Sequence, residues 1–247
     1  MGKILVEVCC GSVEDVLQAE SGGADRVELN SDLFHGGLTP SIGELVTAKE
    51  MSRLPVIAMV RPRAGGFCYT DIEFKTALAD CKLLLDHGAD GIVFGFLHAD
   101  GTLDIDRCKA IVELIGEKQR VFHRAIDVVP DWKKTLDDLA ALGIARVLTS
   151  GQEPDVFWGA DTVREMIHYA AGRIEILPGA GVTVKNAAAL VEKTGCTQIH
   201  ISKSNVYKDS STKNNKSIFY GGMLYPPEDE YSIVDRSFVT DIKGIVS

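Results

Sequence analysis

Residues 4–30 run ILVEVCCGSVEDVLQAESGGADRVELN, and their pattern decides the fold. Ile4, Val6 and Val8 alternate with Leu5, Glu7 and Cys9, the two-residue period of a strand over 4–9. Ser12 opens a helix-period segment over 12–21, and Gly22-Gly23-Ala24-Asp25 closes it. Glycine is favoured just past a helix because it tolerates positive φ. A second β run, 26–30, follows at once. Strand, turn, helix, glycine, strand is the repeating unit of a parallel sheet.

The unit recurs along most of the chain. Further strands are expected at 55–61, 91–95, 120–125, 145–149, 174–177 and 198–202, and further helices at 42–52, 71–87, 104–115, 132–142, 161–170 and 184–193. Three more joints carry the glycine: Gly88-Ala89-Asp90, Gly143-Ile144 and Gly195-Cys196. Eight strands alternating with helices over 247 residues fit an α/β chain with a single (β/α)8 TIM barrel spanning 1–247. An open doubly wound sheet is the alternative. No G-x-G-x-x-G follows the first strand, so there is no NAD or flavin signature. A long polar loop around 205–230, containing Gly221-Gly222 and Pro226-Pro227, precedes a last helix at 235–245. It is expected to lie exposed on the active face of the barrel.

The 26 Lys+Arg against 35 Asp+Glu give a net charge of −9. That balance argues against a nucleic-acid partner, since duplex binding needs clustered cations. No stretch approaches the ~20 apolar residues of a membrane span, and the N-terminal run, interrupted by Glu7, lacks the pattern of an export leader. The six cysteines have no C-x-x-C spacing. Reduced thiols in the cytoplasm are therefore expected, and any metal site must be assembled in three dimensions.

Strand parity separates the barrel interior from the helix-facing side. Val6 and Val8 oppose Glu7 and Cys9. Val27 and Leu29 oppose Arg26, Glu28 and Asn30, and Ile199 and Ile201 oppose Gln198, His200 and Ser202. The apolar parity suits packing against helices, so the polar parity faces inward. The same reasoning adds Arg61 and Arg63 from the third strand, His123 and Asp127 from the fifth, and Glu175 from the seventh. Buried charges must be paired or must bind something, so the set is either a crosslinking network or a ligand site. Strand C-termini are where barrel enzymes place their chemistry. Glu7, Glu28, Arg61, His123 and His200 are the candidate catalytic residues. A second motif, Pro178-Gly179-Ala180-Gly181-Val182-Thr183, follows the seventh strand, and His200-Ile201-Ser202-Lys203-Ser204 spans the end of the eighth. Barrels often bind phosphate at these two loops. Gly179, Gly181 and Ser202, with Arg61 or Arg63 reaching in, form a candidate anion site.

The sequence resembles the CutC copper-homeostasis family. The likeness is carried by Glu7-Val8-Cys9, Gly23-Ala24-Asp25-Arg26-Val27-Glu28-Leu29, Gly36-Gly37-Leu38-Thr39-Pro40-Ser41, Arg61-Pro62-Arg63, Phe122-His123-Arg124-Ala125, Leu148-Thr149-Ser150-Gly151 and the Gly179 loop. The resemblance implies one TIM-barrel domain, a cytoplasmic location, a homodimer and a link to copper. It also implies copper ligands at Cys9 and at the residue after Glu28-Leu29. That residue is Asn30 here, so only Cys9 carries over. Gly66 stands where the family often has Asp, and Ala180 where it often has Gly.

Cu(I) favours soft thiolates. Cys10 and Cys68 are the available replacements, which gives Cys9, Cys10 and Cys68 as the candidate Cu(I) ligands, with a turn at Gly11 bringing Cys10 round. Cys81, Cys108 and Cys196 are expected to be small buried hydrophobes. Two functions remain open. One is copper handling through Cu(I) at the barrel mouth. The other is an isomerase- or lyase-type enzyme on a small anionic or phosphorylated metabolite, with Arg61, Arg63 and Lys203 holding the anion. Schiff-base chemistry is disfavoured, because no lysine stands at an inward position.

Overall fold

All eight expected strands form, and they are short: β1 (Leu5–Cys10), β2 (Arg26–Leu29), β3 (Val56–Met59), β4 (Gly91–Phe94), β5 (Gln119–Phe122), β6 (Arg146–Thr149), β7 (Glu175–Pro178) and β8 (Gln198–Ile201). The computed structural model of the chain describes residues 3–247, so Met1 and Gly2 lie outside the described residues. The strands pair in parallel in the order β7-β6-β5-β4-β3-β2-β1-β8. The barrel is nearly closed: β7 and β8 share no ladder, but Gln198 Nε2 donates to Glu175 Oε2 across the seam at 3.1 Å.

Seven helices, α1 (Val13–Ser21), α2 (Ile42–Met51), α3 (Asp71–Asp86), α4 (Ile105–Ile115), α5 (Trp132–Ala141), α6 (Ala160–Ala170) and α7 (Ala187–Thr194), follow the first seven strands. Their starts are set locally. Ser41 with Glu44, and Thr70 with Glu73, form reciprocal capping boxes, while Ser12 and Asp131 cap alone. The outward parity of the strands (Val6, Val8, Val27, Leu29, Ile199 and Ile201) is fully buried against these helices in the main core. Burying one such side chain contributes roughly 1.5–3 kcal/mol.

The inside of the barrel divides into two halves. Across β3, β4 and β5 it is a separate apolar cluster of Ile57, Met59, Val93 and Val121. Across β8, β1 and β2 it is polar, and β6 and β7 add Arg146 and Glu175 below an apolar Leu148. Arg26 Nε donates to Glu7 Oε2, and Arg26 Nη2 to Gln198 Oε1 at 2.9 Å. Arg146 Nε donates to Glu175 Oε2 at 3.1 Å, and its Nη2 to Gln119 Oε1 at 2.9 Å. This chain of bonds ties the strands together below the mouth.

The segment expected as a long polar loop contains a hairpin. β9 (Ser204–Lys208) pairs antiparallel with β10 (Glu230–Val234), with Tyr207 opposite Tyr231 and their rings stacked 5.8 Å apart. Asp15 fastens its end, accepting from Val234 N at 2.6 Å and from Gly11 N at 2.8 Å. The last helix, α8 (Arg236–Val246), is capped by Asp235 as its sequence implies. No described helix is long and apolar enough to cross a membrane.

Candidate functional site

A cavity of about 380 Å³ opens at the C-terminal ends of the strands, where Cys9, Glu28, Met59, Arg61, His123 and His200 meet. Its size falls in the range of small-molecule sites. β1, β2 and β8 supply one wall. The register sets Glu7 beside His200 and Cys9 beside Glu28, so parity and pairing alone bring these four side chains together.

His200 is the centre of that wall. Its Nδ1 is 2.8 Å from Glu7 Oε1, and Glu7 is also bonded by Arg26. The bond to the Glu7 carboxylate places a proton on Nδ1 and turns Nε2 towards Cys9. Burial works against charge on both partners. The His200 imidazole and the Arg26 guanidinium outweigh it at Glu7, whose pKa falls to about 2. Bonds to Cys9 and Glu7 likewise outweigh burial at His200, whose pKa rises well above the ordinary value. Burial pushes the Cys9 thiol up to about 11 and raises Glu28 as well. Ligand atoms of Cys9, Glu28 and His200 all lie within 4.8 Å of one another, the one such cluster capable of holding a metal among the described residues. Asn30 braces it, with Nδ2 3.6 Å from Cys9 Sγ and donating to Glu28 Oε2 at 3.0 Å.

The opposite wall comes from β3, β5 and their loops. His123 is 3 % exposed and its Nδ1 accepts from Ala125 N at 3.2 Å. Burial, helped by the Arg61 charge, drives its pKa down to about 3, so the ring is neutral with its proton on Nε2. Gly95 makes room for it, since a Cβ there would come within 2.3 Å of the ring. Phe67 packs against both residues, its ring centre 4.7 Å from that of His123 and 5.6 Å from the Arg61 guanidinium carbon.

Several sequence expectations place residues elsewhere. Cys10 continues the β1 alternation instead of turning at Gly11. Its thiol lies in the main core, 3.6 Å from Val8 O, with burial holding it well above its ordinary pKa. Cys68 is exposed and does not line the cavity, so the three thiols are not brought together. Cys81, Cys108 and Cys196 are free and buried as expected.

The charged groups are also redistributed. Glu7 lies below the cavity floor, holding His200 rather than reaching a ligand. Glu175 sits at the first position of β7, at the other end of the barrel, with its side chain 59 % exposed. Arg63 lies beyond the strand, where it pairs with Glu73 and bonds the carbonyls of Ala64, Gly66 and Cys68. Asp127 accepts from Thr149, Ser150 and Gln152 and so ties two loops. Lys203 is exposed, outside the cavity lining.

Two N–H groups of the glycine loop are already bonded within the protein. Gly181 and Ser202 do line the cavity, but Gly179 N is bonded to Thr149 O and Thr183 N to Asn186 Oδ1. Asp155 lies against Gly181, where an added Cβ would come within 1.9 Å of its carboxylate. That charge opposes a phosphate, and α7 starts only at Ala187, so its positive end is not at the loop.

Ala180 adopts φ +78°, a left-handed conformation that costs a non-glycine residue roughly 1–2 kcal/mol. Ala180→Gly relieves it, less the added chain entropy of the unfolded glycine. The variant is expected to be more stable by up to about 1 kcal/mol in urea unfolding. A loss of stability would mean that the Ala180 methyl group packs better than its backbone suffers.

Fold and site together define a TIM-barrel protein with a charged ligand cavity at its C-terminal mouth. The CutC family model matches residues 4–205. A family protein CutC from Treponema denticola is 53 % identical over 98 % of this chain and 98 % of its own length. The human copper homeostasis protein cutC homolog is 40 % identical over 98 % of this chain and 88 % of its own. The crystal structure of CutC from Streptococcus agalactiae superposes with a TM-score of 0.76 at 32 % identity, covering 80 % of this chain and 97 % of that one. The chain belongs to the CutC family.

Proposed function

We propose that this chain is a cytoplasmic copper-homeostasis protein, homodimeric like the family it resembles, which takes up Cu(I) as cargo at Cys9 and His200. One observation carries the reading: the clustering of Cys9, Glu28 and His200 ligand atoms within 4.8 Å at a cavity open to solvent. A thiolate and an imidazole suit Cu(I), while the Glu28 carboxylate is a hard, weak third donor. Glu7 supports the set as the outer partner that orients His200. Binding must expel the proton of the Cys9 thiol and that of His200 Nε2, which makes the site weaker than a thiolate pair and its affinity higher at higher pH.

Anaerobic titration against a Cu(I) chelator tests this. Cys9→Ser is expected to lose affinity by about 100-fold or more, because a hydroxyl is a hard and poorly ionised donor. Asn30→Cys places a second thiol against Cys9 and Glu28 and is expected to tighten binding. Undiminished binding by Cys9→Ser would remove the proposal.

A second reading, an isomerase- or lyase-type enzyme on a small anionic metabolite, is favoured by one observation. The cavity, at about 380 Å³, is far larger than one ion requires.

A further inference from the structure

Two buried donors on residues that line this cavity have no partner. Six buried side-chain N or O atoms lack a hydrogen-bond partner among the described residues, and two of them, Arg61 Nε and His123 Nε2, belong to residues that line the cavity. Both residues are more than nine-tenths buried, Arg61 at 7 % exposed and His123 at 3 %. A buried donor left unpaired costs free energy that a bound acceptor recovers.

The two have different charges. The Nη atoms of Arg61 are used: Nη1 donates to His35 O at 3.0 Å and Gly37 O at 2.9 Å, and Nη2 to Gly65 O at 2.8 Å. These are neutral carbonyls, and among the described residues no carboxylate lies within ion-pair distance of Arg61. A buried guanidinium without a counter-charge is unfavourable unless something supplies one. His123 supplies none: its Nδ1 is occupied by Ala125 N–H and its Nε2 is a neutral donor. The requirements are one negative charge and two acceptor oxygens. Around the pair the lining is largely apolar, with Leu33, Met59, Phe67 and Leu148.

We infer that the cavity binds a small organic monocarboxylate, whose two oxygens accept from Arg61 Nε–H and His123 Nε2–H while its carbon skeleton rests on the apolar lining. A carboxylate matches two donors and one charge. A phosphate brings more oxygens than the two unpartnered donors and a second charge beyond the one that Arg61 lacks. This seat lies on the wall opposite Cys9 and His200, goes beyond the copper reading and stands without it.

The test uses the intact chain and four probes: acetate, pyruvate, lactate and inorganic phosphate, each exchanged for chloride at constant ionic strength. At least one carboxylate is expected to raise the melting temperature saturably above chloride, as ligand linkage requires. Its affinity is then read by calorimetry. His123→Phe keeps a ring on Phe67 and removes the Nε2 donor, and is expected to weaken binding about tenfold or more. Arg61→Lys, which keeps the charge without Nε–H, checks the result if His123→Phe unfolds. Cys9→Ser is expected to bind the carboxylate normally while losing Cu(I), which separates failure here from failure of the copper reading. No carboxylate protecting beyond chloride overturns the inference. So does protection by phosphate alone, or carboxylate binding that neither His123→Phe nor Arg61→Lys weakens.

Discussion

Glu7→Gln is expected to lower the stability of the chain by about 3–5 kcal/mol, the range found when one partner is removed from a buried ion pair. Glu7 is 2 % exposed, and its carboxylate is shared between Arg26 Nε and His200 Nδ1. Gln keeps the shape and one acceptor oxygen but supplies no charge. Arg26, itself 6 % exposed, would retain only neutral amide oxygens as close partners. His200 can respond by releasing its proton, whereas Arg26 cannot. The damage should therefore follow the guanidinium. In a domain of this length such a loss corresponds to a fall in Tm of roughly 6–20 °C. Urea unfolding and a thermal scan measure both quantities. The double variant Glu7→Leu/Arg26→Met removes both charges and should recover part of the loss, His200 and Arg146 still lacking the Glu7 carboxylate. A loss below 1 kcal/mol in Glu7→Gln would show that the pair does not hold the barrel interior.

The strand-helix repeat, and with it the barrel, was legible because each unit carries its own local signals. Parity in β1, β2 and β8 was legible because one face of each is apolar and the other polar, so Glu7, Cys9, Glu28 and His200 could be assigned inward from sequence. β3 and β4 read VIAM and GIVF, apolar on both faces. Alternation therefore could not reveal that Ile57, Met59 and Val93 build an apolar half inside the barrel. Parity also carries no information beyond the strand end. Arg63 and Asp127 were extrapolated past β3 and β5, into loops whose hydrogen bonds turn them to Glu73 and to Thr149. Glu175 had the right parity but the wrong end, because alternation does not say how far along the barrel axis a residue lies.

The cysteines repeat the lesson. Cys10 obeyed the alternation that argued against it, and Cys68 sits in a loop that no periodicity governs. The hairpin of β9 and β10 escaped because its strands are separated by a long polar excursion. Their pairing, Tyr207 with Tyr231 among it, is invisible before the chain is folded. The metal-capable cluster needed a distance between β1, β2 and β8, which becomes available once the parallel register sets Cys9 beside Glu28 and Glu7 beside His200.

Between pH 6.5 and pH 4.5 the wild type is expected to lose about 2–3 kcal/mol more stability than His123→Phe does. His123 is buried as a neutral ring, with a pKa near 3 against an ordinary 6.5. As pH falls below 6.5 the unfolded chain takes up a proton at this residue while the folded chain does not until about pH 3. More protons are bound by the unfolded state throughout that window, so acid favours unfolding. Glu7, lowered to about 2 from 4.5, adds a loss of the same sign, confined to the range below 4.5. His200 works in the other direction: its pKa is raised, so its contribution is complete below 6.5 and is lost as pH rises. Glu28 and Asp15, also raised, hold their full contribution only below the ordinary carboxylate range. These groups are common to both proteins and cancel in the comparison, which leaves the term due to His123. Urea unfolding of wild type and His123→Phe at pH 6.5 and pH 4.5 gives the difference directly. An equal wild-type advantage at the two pH values would mean that His123 takes a proton in the folded chain as readily as in the unfolded one. The burial and the Arg61 charge that hold the ring neutral in the structure would then carry no cost for its protonation.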